Sequence, residues 1–507
     1  MRHFEQNVGL SWLFNIRGAI ESPSQVAIVA IDDQTGTALG LSKLPREWPR
    51  SIHARVVNEL VRRGASVIVF DIDFQIAKQT ETDVEFAEAV ANSGRVVLVE
   101  KLIGKRQPLI DATGKQTGSV WVEQLVPPIS ALTKAAKGLG PFPLPKVQVA
   151  VHQFWVFKSS MNAPTMPAVA LQIHLMNAYP RLSELLRKAG KQPPTLSQQA
   201  SATELVNFMG ALRALFLNDP SLGQALRDTI AEDTELAIEQ HDSVLALIGL
   251  YEGADDRYLN FYGQPGSILT IPYHLIAGAN TEQVTLPELK DKVVFVGFSD
   301  LYDPGQPDRF YTVYTNDDGV DLSGVEIAAT AFANLYRSNA IHPPNLLEEL
   351  SIVVVFGCVI GFISYFLATI TAIPLMLLLV ASYLFGAQQV FNTQYLWIPV
   401  AIPILIQFPI ALLSGLLVNY FSEKKKKERA NQAIGFYLPE NLARDFTEKN
   451  LDHNSLNKVT YSVCFASDMA GFTTIAEVLN PKELAEFLND YFETLSKPLK
   501  TSWRWRD

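Results

Sequence analysis

LSIVVVFGCVIGFISYFLATITAIPLMLLLVASYLFGAQQVFNTQYLWIPVAIPILIQFPIALLSGLLVNYFS, residues 350–422, is the stretch that decides the architecture of this chain. It runs for 73 residues without an Asp, Glu, Lys or Arg. A helix crosses the hydrocarbon core of a bilayer with about 20 apolar residues, so three crossings with tight turns fit and four do not. Turn and polar residues place the breaks. The first falls at Thr369-Ile370-Thr371, ahead of Pro374. The second falls at Asn392-Thr393-Gln394, before Tyr395 and Trp397, which suit an interfacial aromatic belt. The predicted transmembrane helices cover about 350–369, 372–391 and 396–419. Pro399, Pro403 and Pro409 are expected to kink the third, which a packed bundle tolerates. A buried helix of a soluble protein would keep a charged face, and this stretch has none.

The flanks set the expected orientation. Lys424, Lys425, Lys426, Lys427 and Arg429 follow the third helix, and Glu348 and Glu349 precede the first. Positive residues stay on the cytoplasmic side, which puts the C-terminus in the cytoplasm and residues 1–345 outside it. The lysine run reads as a topology signal on a solvated helix face, or else as a contact for anionic lipid headgroups. A large external domain needs an export signal. Residues 8–20 (VGLSWLFNIRGAI) are interrupted by Asn15 and Arg17 and are too short for a signal peptide or anchor. The expectation is a start upstream of this chain, with a further membrane helix there.

Composition narrows the rest. The formal net charge is -10 and there is no basic stripe with interleaved aromatics, so no nucleic-acid partner is expected. The two cysteines, Cys358 and Cys464, lie beyond residue 340, so the external domain carries no disulfide.

That domain reads as layered α/β. Buried strands are predicted at Gln25–Ile31, Ser66–Asp71, Arg95–Glu100 and Lys292–Gly297. Between the first two, Ser51–Arg63 places Ile52, Val56, Val57, Leu60 and Val61 on one helical face, and Gly64 stops it. Strand, helix, strand, helix, strand implies right-handed parallel crossovers. A helix over 324–337 leads toward the membrane. Residues 155–250 are helix-rich and read as an insertion or subdomain. Asp32, Asp33, Asp71 and Asp73 stand at strand ends. There they could hold a cation or line a ligand crevice, or simply cap helices and solvate the sheet end. His53 and His274 are isolated and read as structural.

VAIVAIDDQTGTALG (26–40), WPRSIHARVVNELVRRGASVIVFDIDF (48–74), LNFYGQPGSILTIPY (259–273), KVVFVGFSDLYDPGQPDRFYT (292–312) and GVEIAATAFANLYRS (324–338) together resemble the CHASE2 family of extracytoplasmic sensor domains. That resemblance implies three following transmembrane helices, an unknown extracytoplasmic ligand and a preceding membrane helix. The middle section is not covered by it.

Beyond the lysines, residues 420–457 read as a cytoplasmic linker and 458–507 as the opening of a further domain. Lys458–Ser467 is strand-like, Asp468 stands at its end, and Gly471 and Thr473 lead into a short helix. Pro481–Lys500 is amphipathic, with Leu484, Phe487, Leu488, Tyr491, Phe492 and Leu495 on one face. A carboxylate beside a helix N-terminus suits a nucleotide with its Mg2+. FASDMAGFTTIAE (465–477) resembles the first metal motif of class III adenylate/guanylate cyclases, and FYLPENLARDF (436–446) the segment that precedes their catalytic domain. The resemblance implies an α+β, ferredoxin-like domain that binds a nucleoside triphosphate with two Mg2+ or Mn2+ ions at a homodimer interface. Asp468 and the Met469 carbonyl would be metal ligands. Ala470, Gly471, Phe472 and Thr473 would contact phosphate. The second glycine-aspartate motif, the base-selecting residues and the transition-state Asn/Arg pair are missing from the 507 residues. The tail Lys500–Asp507 reads as an interrupted helix, the mark of a frameshift or early stop.

The sequence therefore predicts a multi-pass protein of a bacterial cell (inner) membrane. It would be a sensor coupled to a class III nucleotide cyclase, adenylate before guanylate, inactive as this chain. The alternative is a non-catalytic receptor or regulatory subunit acting through protein partners.

Overall fold

The computed structural model describes residues 2–42, 44–111, 114–144, 150–232, 238–278, 286–306, 308–315, 318–435 and 466–502. The expected pre-catalytic segment 436–446, most of the strand before Asp468, Cys464 and the tail 503–507 lie outside them. The chain divides into two compact units, Met1–Tyr420 and Phe421–Asp507.

Uninterrupted β-branched and aliphatic runs build the sheet of the first unit. Its strands are β1 (Val26–Ile31), β2 (Val67–Asp71), β3 (Val96–Ile110), β4 (Gln116–Val126), β5 (Gly138–Pro141), β6 (Thr270–Pro272) and β7 (Val293–Phe298). Six of them run parallel in the order β6-β1-β7-β2-β3-β5. Strands buried on both faces read as continuous apolar runs, which is why VAIVAI, VIVFD and VVFVGF were legible. β3 is longer than predicted. Its first residues belong to this sheet, and from Lys101 onward it pairs antiparallel with β4 and leaves the body as a two-stranded arm. Leu109, Ile110, Val120 and Trp121 are exposed along the arm.

Helices cover both faces. One face carries α1 (Ser51–Arg62), α2 (Thr80–Ser93) and α3 (Tyr273–Ala277), with Ile52, Val56, Val57 and Leu60 packed as their spacing predicted. The other carries α4 (Met166–His174) and α5 (Gly324–Arg337). Behind these lie Tyr179–Lys188, Ala202–Asn218, Leu222–Ala231 and Ile238–Tyr251. The helix-rich middle section thus shares one core with the sheet and supplies its second layer.

The apolar stretch forms three helices long and apolar enough to cross a membrane, Leu346–Phe366, Thr369–Gln394 and Ile402–Ala430. The first break is Leu367–Ala368, so Thr369–Thr371 opens the second helix, where Pro374 is accepted. The second break comes at Tyr395, whose φ of 55° reverses the chain. Residues 396–400 are not helical, which leaves Pro399 outside the third helix. Pro403 lies in an opening π-helical turn, Ile402–Gln407, and Pro409 near the start of the α-helix that follows it.

The N-terminal residues form a helix through Arg17, with Leu10, Leu13 and Phe14 buried. Phe14 meets Phe391 of the second apolar helix edge-to-face at 5.1 Å. Gln388 Nε2 donates to Leu13 O (3.2 Å), and Arg17 Nη1 donates to Asn260 Oδ1 (2.6 Å). His342 N–H donates to Tyr395 O, and Trp397 N–H to His342 O, both at 3.0 Å. Sheet domain and apolar helices are therefore joined by buried aromatic packing and backbone hydrogen bonds as well as by the chain itself.

Candidate functional site

In an open parallel sheet, ligands bind outside the carboxyl ends of the strands. α5 shows which end that is. It starts beside Asp308 at the carboxyl ends and finishes at Arg337, whose Nη1 donates to Glu21 O (3.3 Å) ahead of β1. The strand amino ends thus face the apolar helices. The carboxyl ends lie about 20 Å farther away, the length of a 14-residue helix.

The four strand-end aspartates do not form one group. Asp32 turns the chain after β1: its Oδ1 accepts from Thr35 Oγ1 (2.5 Å) and its N–H donates back to that hydroxyl (3.2 Å). Asp33 N–H donates to Asp300 Oδ2 (3.2 Å), while Asp300 Oδ1 accepts from the N–H groups of Tyr302 (2.9 Å) and Asp303 (3.1 Å). These are loop-fixing roles. Asp71 is half-buried at the end of β2. Burial first, and then the charges of Asp308 and Asp73, push its carboxyl up to about 7. Burial also raises Asp308, whose Oδ2 lies 2.2 Å from where a Cβ on Gly324 would stand. Asp73 is exposed and paired with Lys101 Nζ (2.6 Å). Among the described residues, no three His, Cys, Asp or Glu side chains are grouped to hold a metal ion.

What the carboxyl ends do form is a cavity of about 700 Å³ between the turn before α1, the loop after β2, the end of β7 and the root of the arm. Its apolar walls include Ile72, Phe74, Ile76, Ile103, Val126 and Phe298. Its charged residues are Arg46, Arg50, Lys78 and Lys101, with Asp73 as the one carboxylate. Arg50 is 2% exposed. Its Nη1 donates to Asp83 Oδ1 (2.9 Å), its Nη2 to Ile76 O (2.5 Å), and its guanidinium lies 5.4 Å from the Phe74 ring centre. Asp83 also accepts from Lys78 N–H (2.9 Å), which pins the loop after β2 to α2. His53 lines the cavity inside a cage of Phe70, Phe74, Phe86 and Tyr273. Its Nδ1 is 2.7 Å from the Tyr273 hydroxyl. Burial, and then Lys78 and Arg50, depress it to about 3, so it is a neutral imidazole.

Of the sequence-selected residues, only Asp73 and His53 line this cavity. Arg50 was not singled out from the sequence; the signal it offered was an arginine directly ahead of the amphipathic helix Ser51–Arg62. The cavity itself had no local signal, because its walls come from four separate segments.

In the second unit, the Met469–Phe472 turn forms, with Phe472 N–H donating to Met469 O (3.3 Å). Gly471 takes φ +77°, which favours glycine, and the helix Phe472–Val478 follows. Asp468 is exposed, as are Ala470, Gly471, Phe472 and Thr473. Helix Pro481–Ser502 carries Leu484, Phe487, Leu488, Tyr491 and Leu495 half-buried and Phe492 exposed.

Comparison with known families matches the CHASE2 domain over residues 4–368. Curated proteins and solved structures give no match.

Proposed function

The chain belongs to the CHASE2 domain family, and on that premise we propose that it is a membrane sensor whose external domain controls a class III nucleotide-cyclase output across three transmembrane helices. The observation that carries the sensing half is the tie between domain and helices. Glu5, Phe14 and Arg17 of the N-terminal helix bind at once to the sheet domain and to the second and third apolar helices. A change in the domain thus has a rigid route to the bundle. The charge asymmetry around the helices supports an external domain and a cytoplasmic C-terminus in a bacterial inner membrane.

The cyclase half rests on FASDMAGFTTIAE. In that reading Asp468 and the Met469 carbonyl would hold Mg2+ or Mn2+, and the turn Ala470–Thr473 would meet the phosphates of a nucleoside triphosphate. The metal would supply charge neutralisation at the triphosphate. The exposed turn leaves these groups open to such a ligand, and a homodimer would complete the site. The alternative is a non-catalytic receptor acting through protein partners; among the described residues, Asp468 belongs to no group of three or more His, Cys, Asp or Glu side chains that could hold a metal ion.

Two experiments test this. In a variant with Cys358 and Cys464 replaced by serine, Ser119→Cys should react with a membrane-impermeant maleimide on intact cells. Ser422→Cys should react only after permeabilisation, and the reverse pattern overturns the orientation. For the output, residues 1–457 are joined to a complete class III catalytic domain. Cyclic-nucleotide formation that differs between wild type and Glu5→Ala supports coupling, and equal rates at equal expression defeat it.

A further inference from the structure

The cavity at the strand ends has a charge that its occupant must answer. Four cationic side chains line it against the single carboxylate of Asp73. Two of the four are neutralised, Arg50 by Asp83 and Lys101 by Asp73. Arg46 and Lys78, both exposed, have no ion pair among the described residues. Among those residues Lys78 Nζ donates to one acceptor, Trp48 O (2.8 Å), which is uncharged. The buried Arg50 guanidinium adds an Nε without an acceptor. Glu47 is exposed and engaged with Ser42 Oγ (2.7 Å). The Lys78 ammonium is held below its ordinary range by burial and then by Arg50, with Asp83 and Glu47 acting in the opposite direction. An anion between these groups would relieve the repulsion from Arg50.

Apart from Gln75 and the neutral His53 imidazole, the rest of the wall is hydrocarbon and aromatic. A bare inorganic ion would leave it wet or empty, whereas a ligand with an apolar body would fill it. Pockets of about 300–1,000 Å³ hold small organic molecules, and this one falls in that range.

We propose that this cavity binds a small organic anion, with a carboxylate or phosphate-type head against Arg46 and Lys78 and an apolar body against Phe74, Ile103 and Phe298. The proposal deepens the sensor reading and rests on it for the meaning of the ligand as a signal. Binding itself is independent of membrane orientation. The site lies at the end of the domain remote from the apolar helices, open to the compartment that the domain faces. Lys101, Ile103 and Val126 are where β3 and β4 leave the sheet, so an occupant touches the root of the arm.

The test is calorimetric titration of the full chain in lipid nanodiscs with phenylphosphonate and benzoate, with benzyl alcohol as the neutral control and benzylamine as the cationic one. The anions should bind, and the two controls should bind at least about tenfold more weakly. Arg46→Gln and Lys78→Gln should each weaken phenylphosphonate binding about tenfold, the loss of one charge-assisted hydrogen bond. A variant that fails to fold shows it in its unliganded melting curve. Ile103→Glu then carries the test, because a carboxylate in the same wall should abolish anion binding. Benzylamine binding as tightly as benzoate, full affinity in all folded variants, or no heat from either anion at millimolar concentration each overturns the proposal. None of these results bears on the maleimide pattern, so the two readings fail separately.

Discussion

The Glu5 carboxylate accepts the N–H of Ile402 at 2.6 Å, across 397 residues of chain. It also accepts from Val400 (2.9 Å) and Ala401 (3.0 Å). The first turn of a helix has N–H groups with no partner inside it, and a side-chain oxygen usually comes from the residue just before. Here the third apolar helix takes its cap from the far end of the sequence. That contact joins the start of the chain to the third apolar helix.

Glu5→Ala should be costly. It leaves three buried N–H groups without an acceptor, at about 1–3 kcal/mol for each unsatisfied group. The thermal midpoint of the full chain in detergent should fall by several degrees. Glu5→Gln, which keeps one accepting oxygen, should fall less. Equal midpoints for wild type and Glu5→Ala would show that the cap contributes nothing.

Gly9 should not accept a side chain. A Cβ there would stand 2.3 Å from Glu5 Oε2 and 3.1 Å from Val400 Cγ2. Gly9→Ala is expected to cost about 1–3 kcal/mol by overpacking and to displace the cap. In a double-mutant cycle its effect should shrink sharply on a Glu5→Ala background, where the clashing carboxylate is gone.

The Arg50–Asp83 pair predicts an asymmetry. Both side chains are almost fully enclosed. Asp83→Ala strands a buried guanidinium and should destabilise by about 3–5 kcal/mol. Replacing both partners with apolar residues of similar volume should recover most of that loss. Denaturant unfolding of the three variants decides it.

Two buried carboxyls should each contribute less stability as pH rises. Burial pushes Asp71 and Glu326 each up to about 7 from ordinary values of 3.8 and 4.5. Between those limits the folded chain holds protons that the unfolded chain has released. The stabilisation is complete below the ordinary values and is lost as pH climbs through about 7. The contribution of these two carboxyls to the melting midpoint should therefore decline from about pH 5 to about pH 8, opposite in sign to that of His53 and His152, which burial depresses to about 3 and about 4. Asp71→Asn and Glu326→Gln should flatten that slope. A slope that is unchanged in both variants would assign the pH dependence to other groups.

Three apolar helices, the parallel strands β1, β2 and β7, and the amphipathic α1 were all legible in the sequence. Each depends on a pattern within one short window: absence of charge, an unbroken β-branched run, or 3.6-residue spacing. The arm was not legible. KLIGKRQPLI and QTGSVWVEQLV mix polar and apolar residues without a buried face, and only pairing with each other makes them strands. The middle helices were visible as helices, but nothing local said that they form the second layer on the sheet.

The aspartates show the same boundary. Their positions at strand ends followed from the sequence, and their different partners did not: a turn hydroxyl for Asp32, the Asp300 loop for Asp33, Asp308 beside Asp71 and Lys101 for Asp73. The sequence alone determined where the chain turns apolar, where it forms parallel strands and which family motifs it carries, because those properties belong to contiguous residues. Only the tertiary structure decided that Arg46, Lys78 and Phe298 share a cavity and that Glu5 caps a helix almost 400 residues away. Such contacts arise from how layers pack and from which buried donors remain to be satisfied, and no sequence window spans them.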